Sequence, residues 1–249
     1  MITVDPVAER LLEVRARITA AAKRAGRSAE DVTLIGVSKT MPASRVQAAV
    51  DAGLADIGEN RVQEAEEKIH SVRPAKVSLT WHLVGHLQQN KARRAVALFP
   101  WVHSVDSASL AEKIDRLSGE LQVRPVVLIE INLESEPTKT GIAPDALGPL
   151  LEAVSRLGHL KLGGLMAVPP ALLPGQTAEA SRASFKRLAA LRDTWRGRGY
   201  DLPALSMGMT DDFEVAIEEG ATHVRVGRAI FGERQSAIPP AETKETSPR

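Results

Sequence analysis

The strongest constraint on the fold is an alternation of short apolar segments with helix-like segments along nearly the whole chain. Eight strand-like segments can be counted, and each is followed by a helical pattern, although the eighth helix is short or absent. Serial strand–helix units imply parallel pairing and right-handed crossovers. Eight such units in 249 residues predict a single-domain α/β protein, a (β/α)8 TIM barrel. An open doubly wound sheet is the alternative, but no Gly-x-Gly-x-x-Gly turn supports a dinucleotide site.

The predicted elements follow one another without a second domain. The strands are expected at 32–39, 55–60, 80–85, 101–106, 125–132, 160–168, 204–209 and 222–230. The helices between them are expected at 43–51, 61–69, 88–98, 108–121, 146–157, 178–198 and 211–220. An extra N-terminal helix precedes them, with Asp5 as N-cap, Pro6 in the first turn and Gly26 at its end. We expect the barrel domain to span residues 1–234 and residues 235–249, polar and rich in proline, to be a disordered tail.

Composition excludes several classes of function. The net charge of +1 mixes both signs along the chain, so there is no electrostatic case for nucleic acid or an anionic membrane. Aromatic residues make up 3% of the chain, too few for a base-stacking platform. There is no cysteine, hence no disulfide framework and no thiolate site. Without a membrane-length apolar run or a signal-peptide core, we expect a cytoplasmic protein.

The ends of the predicted strands carry the residues suited to chemistry, because strand C-termini and βα loops form the active mouth of a barrel. The first strand ends in Gly36-Val37-Ser38-Lys39, and Lys39 taken alone could be a solvated residue that caps a strand. The residues at the other strand ends are Glu59, Asn60, His82, His86, Ser104, Asp106, Glu130, Asn132, Met166, Ser206, Thr210, Arg225 and Gly227. This set is more polar than strand capping requires, so we predict a site at the mouth.

The segment 206–212, Ser-Met-Gly-Met-Thr-Asp-Asp, has the features of a phosphate site. Ser206 and Thr210 offer hydroxyl groups, Gly208 permits close approach of the backbone, and a helix is predicted to begin near Asp211. The N–H groups and the dipole at a helix N-terminus favour an anion. An N-cap role for Thr210 or Asp211, with Gly208 making the turn, explains the segment equally well.

A second segment, Arg225-Val226-Gly227-Arg228, follows one strand later. Barrels often bind phosphate between the loops after strands seven and eight, where both segments fall. Gly227 could expose its backbone N–H to the phosphate, and Arg228 could add positive charge. The two segments together favour the phosphate interpretation.

A strand-end lysine opposite a phosphate site indicates an aldehyde that bears a phosphate. A neutral lysine amine condenses with a carbonyl to a Schiff base, and pyridoxal 5′-phosphate (PLP) is the commonest such cofactor. Arg225 could then hydrogen-bond the pyridine nitrogen, and as a permanent donor it would leave that nitrogen unprotonated and the ring a weak electron sink. A Schiff-base aldolase that uses Lys39 on a sugar phosphate fits the same residues.

Several long motifs carry a resemblance to a known family. They are VSKT around Lys39, GENRVQE at 58–64, WHLVGHLQQNK at 81–91, GLMAVPP at 164–170 and the segment 205–232. With these motifs the chain resembles the pyridoxal phosphate homeostasis protein family, related in fold to the barrel domain of alanine racemase, from about residue 8 to residue 233.

The resemblance implies a role for each residue of the site. Lys39 would hold the cofactor as a Schiff base, and Arg225 would face the ring nitrogen. Ser206, Thr210, Gly227 and backbone groups near Met209 would hold the phosphate, while Asn60, His82 and Met166 would line the rest of the pocket. The chain departs from the family pattern at Arg61, where many relatives have tyrosine, and at Thr210, where many have serine.

The resemblance leaves a choice between a carrier and an enzyme. Two-base racemisation needs a second acid/base group on the face opposite the lysine. In alanine racemase-like enzymes a tyrosine from a partner subunit's C-terminal β domain provides it, whereas the one tyrosine here, Tyr200, precedes the seventh strand. We therefore expect a noncatalytic, monomeric PLP carrier without catalytic residues. PLP-dependent apoenzymes are its candidate recipients, and a small amino-acid racemase is the alternative.

Two further features have simple interpretations. Lys139 is predicted to be a solvated loop residue, with a part in cofactor transfer or sensing as the alternative. His82 and His86 are four residues apart, but a glycine and a strand end lie between them, so we expect no metal site there.

Overall fold

The protein is a closed barrel of eight parallel strands, as the sequence predicts. The structure, a computed structural model, describes residues 6–74, 77–134, 136 and 139–233. The strands pair in sequence order, and β8 closes the barrel against β1. They are β1 (Thr33–Val37), β2 (Asp56–Glu59), β3 (Thr80–Leu83), β4 (Trp101–Val105), β5 (Val126–Glu130), β6 (Lys161–Met166), β7 (Ala204–Ser206) and β8 (His223–Val226).

Helices surround the barrel and connect the strands. They are α1 (Pro6–Arg24), α2 (Ala43–Asp51), α3 (Val62–Ser71), α4 (Ala92–Leu98), α5 (Ala108–Leu121), α6 (Leu147–Ser155), α7 (Arg182–Arg196), α8 (Phe213–Glu218) and α9 (Arg228–Phe231). Short 3-10 turns lie at Ala29–Asp31, Gln89–Lys91, Pro144–Ala146 and Ala178–Ser181. In the described part of the chain, no helix combines the length and apolar character needed to cross a bilayer.

The predicted N-terminal helix is α1, and it packs outside the barrel next to the point where β8 meets β1. Its apolar side chains recur at helical spacing and are buried, from Val7 and Leu11 to Val14 and Ile18. This face contacts α8 and α9. Gly26 ends the helix with a φ of 67°, a left-handed conformation that glycine adopts without steric cost. The predicted N-cap, Asp5, and the predicted tail lie outside the described residues.

Each strand alternates between two environments, because successive side chains of a strand point to opposite faces. The outward residues, such as Ile57, Leu83 and Val224, join the large core between barrel and helices. The inward residues fill the barrel itself. A small apolar cluster there contains Leu128 and Met166, and a group of rings lies beside it.

Most differences from the predicted boundaries occur at the C-terminal ends of the strands. The first strand ends at Val37, the seventh at Ser206 and the eighth at Val226. Beyond these points the chain leaves the sheet and forms the loops of the mouth, so apolar character alone overestimated the strand lengths. The last predicted strand, 222–230, in fact contains a turn of helix, α9, which confirms a short eighth helix.

Candidate functional site

A cavity of about 560 Å³ opens at the C-terminal mouth of the barrel. Its walls come from the ends of β1, β2, β3, β6 and β8 and from the loop after β7. The lining residues are Val37, Lys39, Met41, Asn60, Val84, Val168, Met209, Thr210, Asp211, Arg225, Gly227, Arg228, Gly232 and Glu233. The structure thus brings together seven predicted site residues: Lys39, Asn60, Met209, Thr210, Arg225, Gly227 and Arg228.

Lys39 lies two residues beyond β1, where the backbone turns sharply. The next residue, Thr40, has a φ of 65°, a left-handed conformation that is rare for a β-branched residue. The Thr40 N–H donates to Glu64 Oε2 of α3 at 3.0 Å, which holds the turn. Strained backbone of this kind persists only where its surroundings fix it, and it is often found at functional sites.

A buried charged cluster behind Lys39 fixes the same segment. Lys68 of α3 donates from Nζ to Ser38 O at 2.7 Å and to Glu59 Oε1 at 2.6 Å, and the Ser38 hydroxyl also donates to Glu59 Oε1. Burial raises the pKa of Glu59, while the hydrogen bonds from Lys68 and Ser38 oppose that rise. The carboxylate remains the ion-pair partner of Lys68.

This cluster corrects the prediction for Glu59, which does not face the mouth. Its side chain points outward from the barrel to α3, since Asn60 occupies the inward position and the two directions alternate. The sequence does contain a signal for the cluster. Lys68 lies three residues after Ala65 and six after Val62, on the buried face of α3, and a lysine at such a position requires a partner.

Arg225 is buried in the cavity wall, and three hydrogen bonds fix the orientation of its guanidinium. Nη1 donates to Ser206 O at 2.7 Å and to Ser206 Oγ at 2.6 Å, and Nη2 donates to Ala167 O at 2.9 Å. Burial lowers the pKa of Arg225 to about 10, while Glu130 and Asp212 act in the opposite direction. The side chain therefore remains a cation at neutral pH.

Ser206 lies beneath the cavity rather than on its wall. Its side chain is fully buried, and its hydroxyl lies within hydrogen-bond distance of both Arg225 and His103. Both neighbours occupy the hydroxyl, so the structure makes Ser206 a support for Arg225. The sequence had predicted a direct phosphate contact for this hydroxyl instead.

Gly208 makes the turn after β7 and also lies beneath the wall. Its φ is 91°, and a Cβ atom there would lie 2.5 Å from the Cβ of Ala216 and 2.9 Å from the Cα of Phe213. Only glycine fits such a close approach in a left-handed conformation. The Met209 N–H that follows donates to Asp212 Oδ1 at 2.7 Å, so this amide is already engaged within the turn.

The groups suited to an anion lie at one side of the cavity. Among the described residues, the Thr210 hydroxyl and the Thr210 and Asp211 amide N–H groups have no hydrogen-bond acceptor. On the other side of the same region, α9 begins at Arg228 without a side-chain cap, which leaves its first N–H groups without intrahelical acceptors. The Arg228 guanidinium pairs with Asp211 at 2.6 Å and lies 3.5 Å from Glu233.

His82 and Met166 lie one inward position deeper than predicted. Both are about 1% exposed and fill the barrel interior. Val84 and Val168, two residues further along, line the cavity instead. Two residues of strand span about 6–7 Å, so a shift of one inward position moves a side chain from the wall to the core below.

Two other strand-end residues hold a loop rather than the cavity. Asn132 donates from Nδ2 to Glu136 O at 2.8 Å and accepts from Glu136 N–H at 3.1 Å. Glu130 accepts from the Thr140 hydroxyl at 2.6 Å, and burial raises its pKa. Lys139, in the same loop, pairs with Glu136 at 2.8 Å and does not line the cavity.

The two histidines that the sequence placed four residues apart have different surroundings. His86 is partly exposed and lies 3.4 Å from Asp106, whereas His82 is inside the barrel. Within the described residues, no three His, Asp or Glu side chains are placed to hold a metal ion.

Tyr200 lies at the opposite end of the barrel from the cavity. It follows α7 and precedes β7, and connections of this kind lie at the N-terminal ends of the strands. Its ring packs edge-to-face on Trp195, with 5.6 Å between centroids. The one tyrosine of the chain is therefore far from Lys39.

Comparison with known proteins places this cavity in a family context. The family model described as alanine racemase, N-terminal domain, matches residues 11–235. A pyridoxal phosphate homeostasis protein of Pseudomonas aeruginosa is 42% identical over 236 residues, which cover 95% of this chain and 99% of the relative. One of Aquifex aeolicus is 42% identical over 229 residues, covering 91% and 98%.

Solved structures agree with these sequence relatives. PipY of Synechococcus elongatus, solved with PLP bound, is 38% identical, with a TM-score of 0.77 over 91% of this chain and 100% of that chain. An alanine racemase of Clostridium difficile is 16% identical, with a TM-score of 0.69 over 94% of this chain and 58% of that chain, a likeness of fold alone. A family match across the barrel and relatives 42% identical over nearly their whole length establish that this chain belongs to the pyridoxal phosphate homeostasis protein family.

Proposed function

We propose that the cavity binds PLP, with Lys39 as the covalent anchor, and that the protein stores and supplies this cofactor without robust catalysis. The observation that carries the proposal is the convergence of Lys39, Arg225 and Thr210 on one cavity of about 560 Å³. The names of the relatives and the PLP-bound structure of PipY support it.

The residues present fit the three functional parts of this cofactor, which are the phosphate, the ring with its nitrogen and the aldehyde. A phosphate would be bound by the Thr210 hydroxyl, the free amides of the turn and the first amides of α9. Gly227 lies at this end, and a Cβ atom there would approach Val37 O to 3.1 Å, so the backbone is closely packed. Because Asp211 and Glu233 already pair with Arg228, the proposed phosphate contacts are mainly backbone and hydroxyl groups.

The aromatic ring would be held between apolar side chains and Arg225. Val37, Met41, Val84 and Val168 supply apolar wall, and Asn60 adds a polar side chain. Arg225 can only donate a hydrogen bond, so a ring nitrogen placed against it would have to be an acceptor and thus unprotonated. Bound PLP supplies an aldehyde that forms a Schiff base with an amine and, with an unprotonated nitrogen, a weak electron sink.

The same cavity is poorly equipped for turnover. Racemisation needs a second acid/base group on the cofactor face opposite the lysine. The acidic groups that line the cavity, Asp211 and Glu233, are ion-paired with Arg228 and largely exposed. Since Tyr200 is at the other end of the barrel, we propose that Lys39 anchors the cofactor and does not serve as one of two catalytic bases.

The proposal extends to the assembly and the recipients of the cofactor. We propose that a monomer suffices for binding, because Lys39, Arg225 and Thr210 of a single chain already supply the groups that the cofactor needs. PLP-dependent apoenzymes that lack their cofactor are the proposed recipients. Light scattering of the loaded protein tests the first statement, and activation of an apoenzyme across a dialysis membrane and in direct mixture tests the second.

Absorption spectroscopy tests the central claim. The protein mixed with PLP and then freed of excess cofactor by gel filtration is expected to show a visible band that borohydride abolishes, with the label found by mass spectrometry on Lys39. Lys39→Ala is expected to lose the band, whereas Lys139→Ala, which removes a loop lysine paired with Glu136, is the matched control and keeps it. A protein fraction that is colourless after the excess PLP has been removed would refute PLP binding. Racemisation of alanine above the Lys39→Ala background would refute the noncatalytic role.

A further inference from the structure

A continuous line of hydrogen bonds runs through the barrel interior from Asp56 to Arg225. Asp56 Oδ1 lies 3.0 Å from His82 Nε2, and His82 Nδ1 lies 3.0 Å from His103 Nε2. His103 Nδ1 lies 2.9 Å from Ser206 Oγ, which is 2.6 Å from Arg225 Nη1. Four consecutive contacts therefore connect five side chains that come from five different strands.

The two ends of this line lie at opposite ends of the barrel. Asp56 is the first residue of β2, and 26% of its side chain is exposed. Arg225 lines the cavity at the C-terminal mouth. The three residues between them are at most 1% exposed, so the line crosses the buried interior of the barrel.

With both imidazoles neutral, the chemistry of the two ends determines the direction of every hydrogen bond. A guanidinium can only donate and a carboxylate can only accept. Arg225 therefore donates to Ser206 Oγ, and the hydroxyl proton of Ser206 is left to donate to His103 Nδ1. The His103 Nε2–H then donates to His82 Nδ1, and the His82 Nε2–H donates to Asp56. In this arrangement every proton points toward Asp56, and each imidazole carries its proton on Nε2.

The surroundings of His103 favour a neutral ring at that position. Burial lowers the pKa of His103 well below its ordinary value, and the Arg225 cation lowers it further. His223 packs edge-to-face against the ring of His103, with 6.1 Å between centroids, and its own pKa is lowered to about 4. The other charged groups near Arg225 are Glu130 and Asp212.

We infer that Asp56, His82 and His103 are positioning residues for Arg225, and that Asp56 selects the histidine tautomers that make Ser206 an acceptor toward its guanidinium. Without an acceptor at Asp56, the two imidazoles can change to the Nδ1–H tautomer, and His103 would then donate to Ser206. The hydroxyl proton would be displaced from His103 and compete with Nη1–H of Arg225. The last step, from Arg225 to the cofactor ring, rests on the proposed function.

The first experiment needs no cofactor. Long-range ¹H–¹⁵N correlation spectra of the ¹⁵N-histidine protein at pH 7 are expected to show His82 and His103 neutral and protonated on Nε2. Signals are assigned by His82→Gln and His103→Gln. Protonation on Nδ1, or an imidazolium at either residue, would overturn the inference whatever the outcome for PLP.

The second experiment changes Asp56, the end of the hydrogen-bond line that is remote from the cavity. Asp56→Ala is expected to populate the Nδ1–H tautomers and to weaken PLP binding by about five-fold, equivalent to the ~1 kcal/mol of one hydrogen bond. Asp56→Asn can still accept through its amide oxygen and is expected to show both the Nε2–H tautomers and the PLP affinity of the wild type. The matched control is Asp115→Ala, which removes the partner of the exposed His159 and is expected to change neither.

The outcomes separate the two proposals. Wild-type protein that shows the expected tautomers but binds no PLP refutes the proposed function and leaves the hydrogen-bond line intact. Asp56→Ala protein that keeps the wild-type tautomers and affinity refutes the inference about Asp56 and leaves the proposed function intact. If Asp56→Ala does not fold, the tautomers of the wild-type and Asp56→Asn proteins still decide it.

Discussion

Replacing Lys68 with methionine would remove the one cation that contacts Glu59 in the described structure. Lys68 is 6% exposed and Glu59 is fully buried, and their charged atoms lie 2.6 Å apart. Methionine keeps most of the aliphatic volume of the lysine side chain, so the perturbation is electrostatic rather than steric. The second Glu59 oxygen, Oε2, has no hydrogen-bond partner among the described residues, so nothing else there compensates.

The expected loss follows from the cost of neutralising the carboxylate. Breaking a buried ion pair typically costs 3–5 kcal/mol, roughly the cost of an uncompensated charge. Glu59 can avoid that state by binding a proton, which from its ordinary pKa of 4.5 costs about 3.4 kcal/mol at pH 7. We therefore expect Lys68→Met to lower the free energy of unfolding by about 3 kcal/mol at pH 7.

The sign of the pH dependence is also determined. In Lys68→Met the folded chain holds a proton on Glu59 that the unfolded chain releases above pH 4.5. The loss relative to wild type therefore grows as the pH rises, and at pH 5 it is expected to fall to roughly 1 kcal/mol. Below that pH the protonated carboxyl needs no counter-charge.

Urea unfolding followed by tryptophan fluorescence at pH 5 and pH 7 measures this. The double variant Glu59→Gln with Lys68→Met removes both charges and is expected to recover most of the loss. Lys186→Met, at an exposed position of α7, is the matched control and is expected to change stability by less than about 0.5 kcal/mol. A loss below 1 kcal/mol at pH 7 that does not depend on pH would refute the reasoning.

Three further predictions concern the barrel interior and the mouth. Because His223 has a folded-state pKa of about 4 against 6.5 unfolded, the unfolded chain binds its proton first, so ~3 kcal/mol of stability is lost as the pH falls from 6.5 to 4. The free energy of unfolding of His223→Phe is expected to lack this part of the decline with falling pH. A decline equal to that of the wild type would contradict the prediction. Gly208→Ala places a Cβ atom 2.5 Å from Ala216 Cβ and is expected to cost at least about 2 kcal/mol in thermal unfolding, whereas Gly158→Ala, with open space around it, is expected to be near neutral. Thr210→Val removes one hydroxyl and is expected to weaken PLP binding about five-fold in a spectroscopic titration without a change in melting temperature; unchanged affinity would exclude the hydroxyl as a phosphate contact.

The sequence by itself determined the barrel and the end of it that carries the site. Eight strand–helix units suffice for this, because parallel strands joined by helices place all their C-terminal ends at one mouth. Residues just beyond those ends therefore meet whatever the details of packing. Lys39, Asn60, Thr210 and Gly227 were found in this way, and all four line the cavity.

Only the tertiary structure decided how deep each side chain lies and which way it faces. His82, Met166 and Ser206 sit below the cavity, and Glu59 faces α3, because the stagger between neighbouring strands sets the level of each residue in the barrel. That stagger results from pairing between segments distant in sequence and leaves no local pattern. The hydrogen-bond line from Asp56 to Arg225 joins side chains of five strands. For the same reason, it could not be predicted from the sequence.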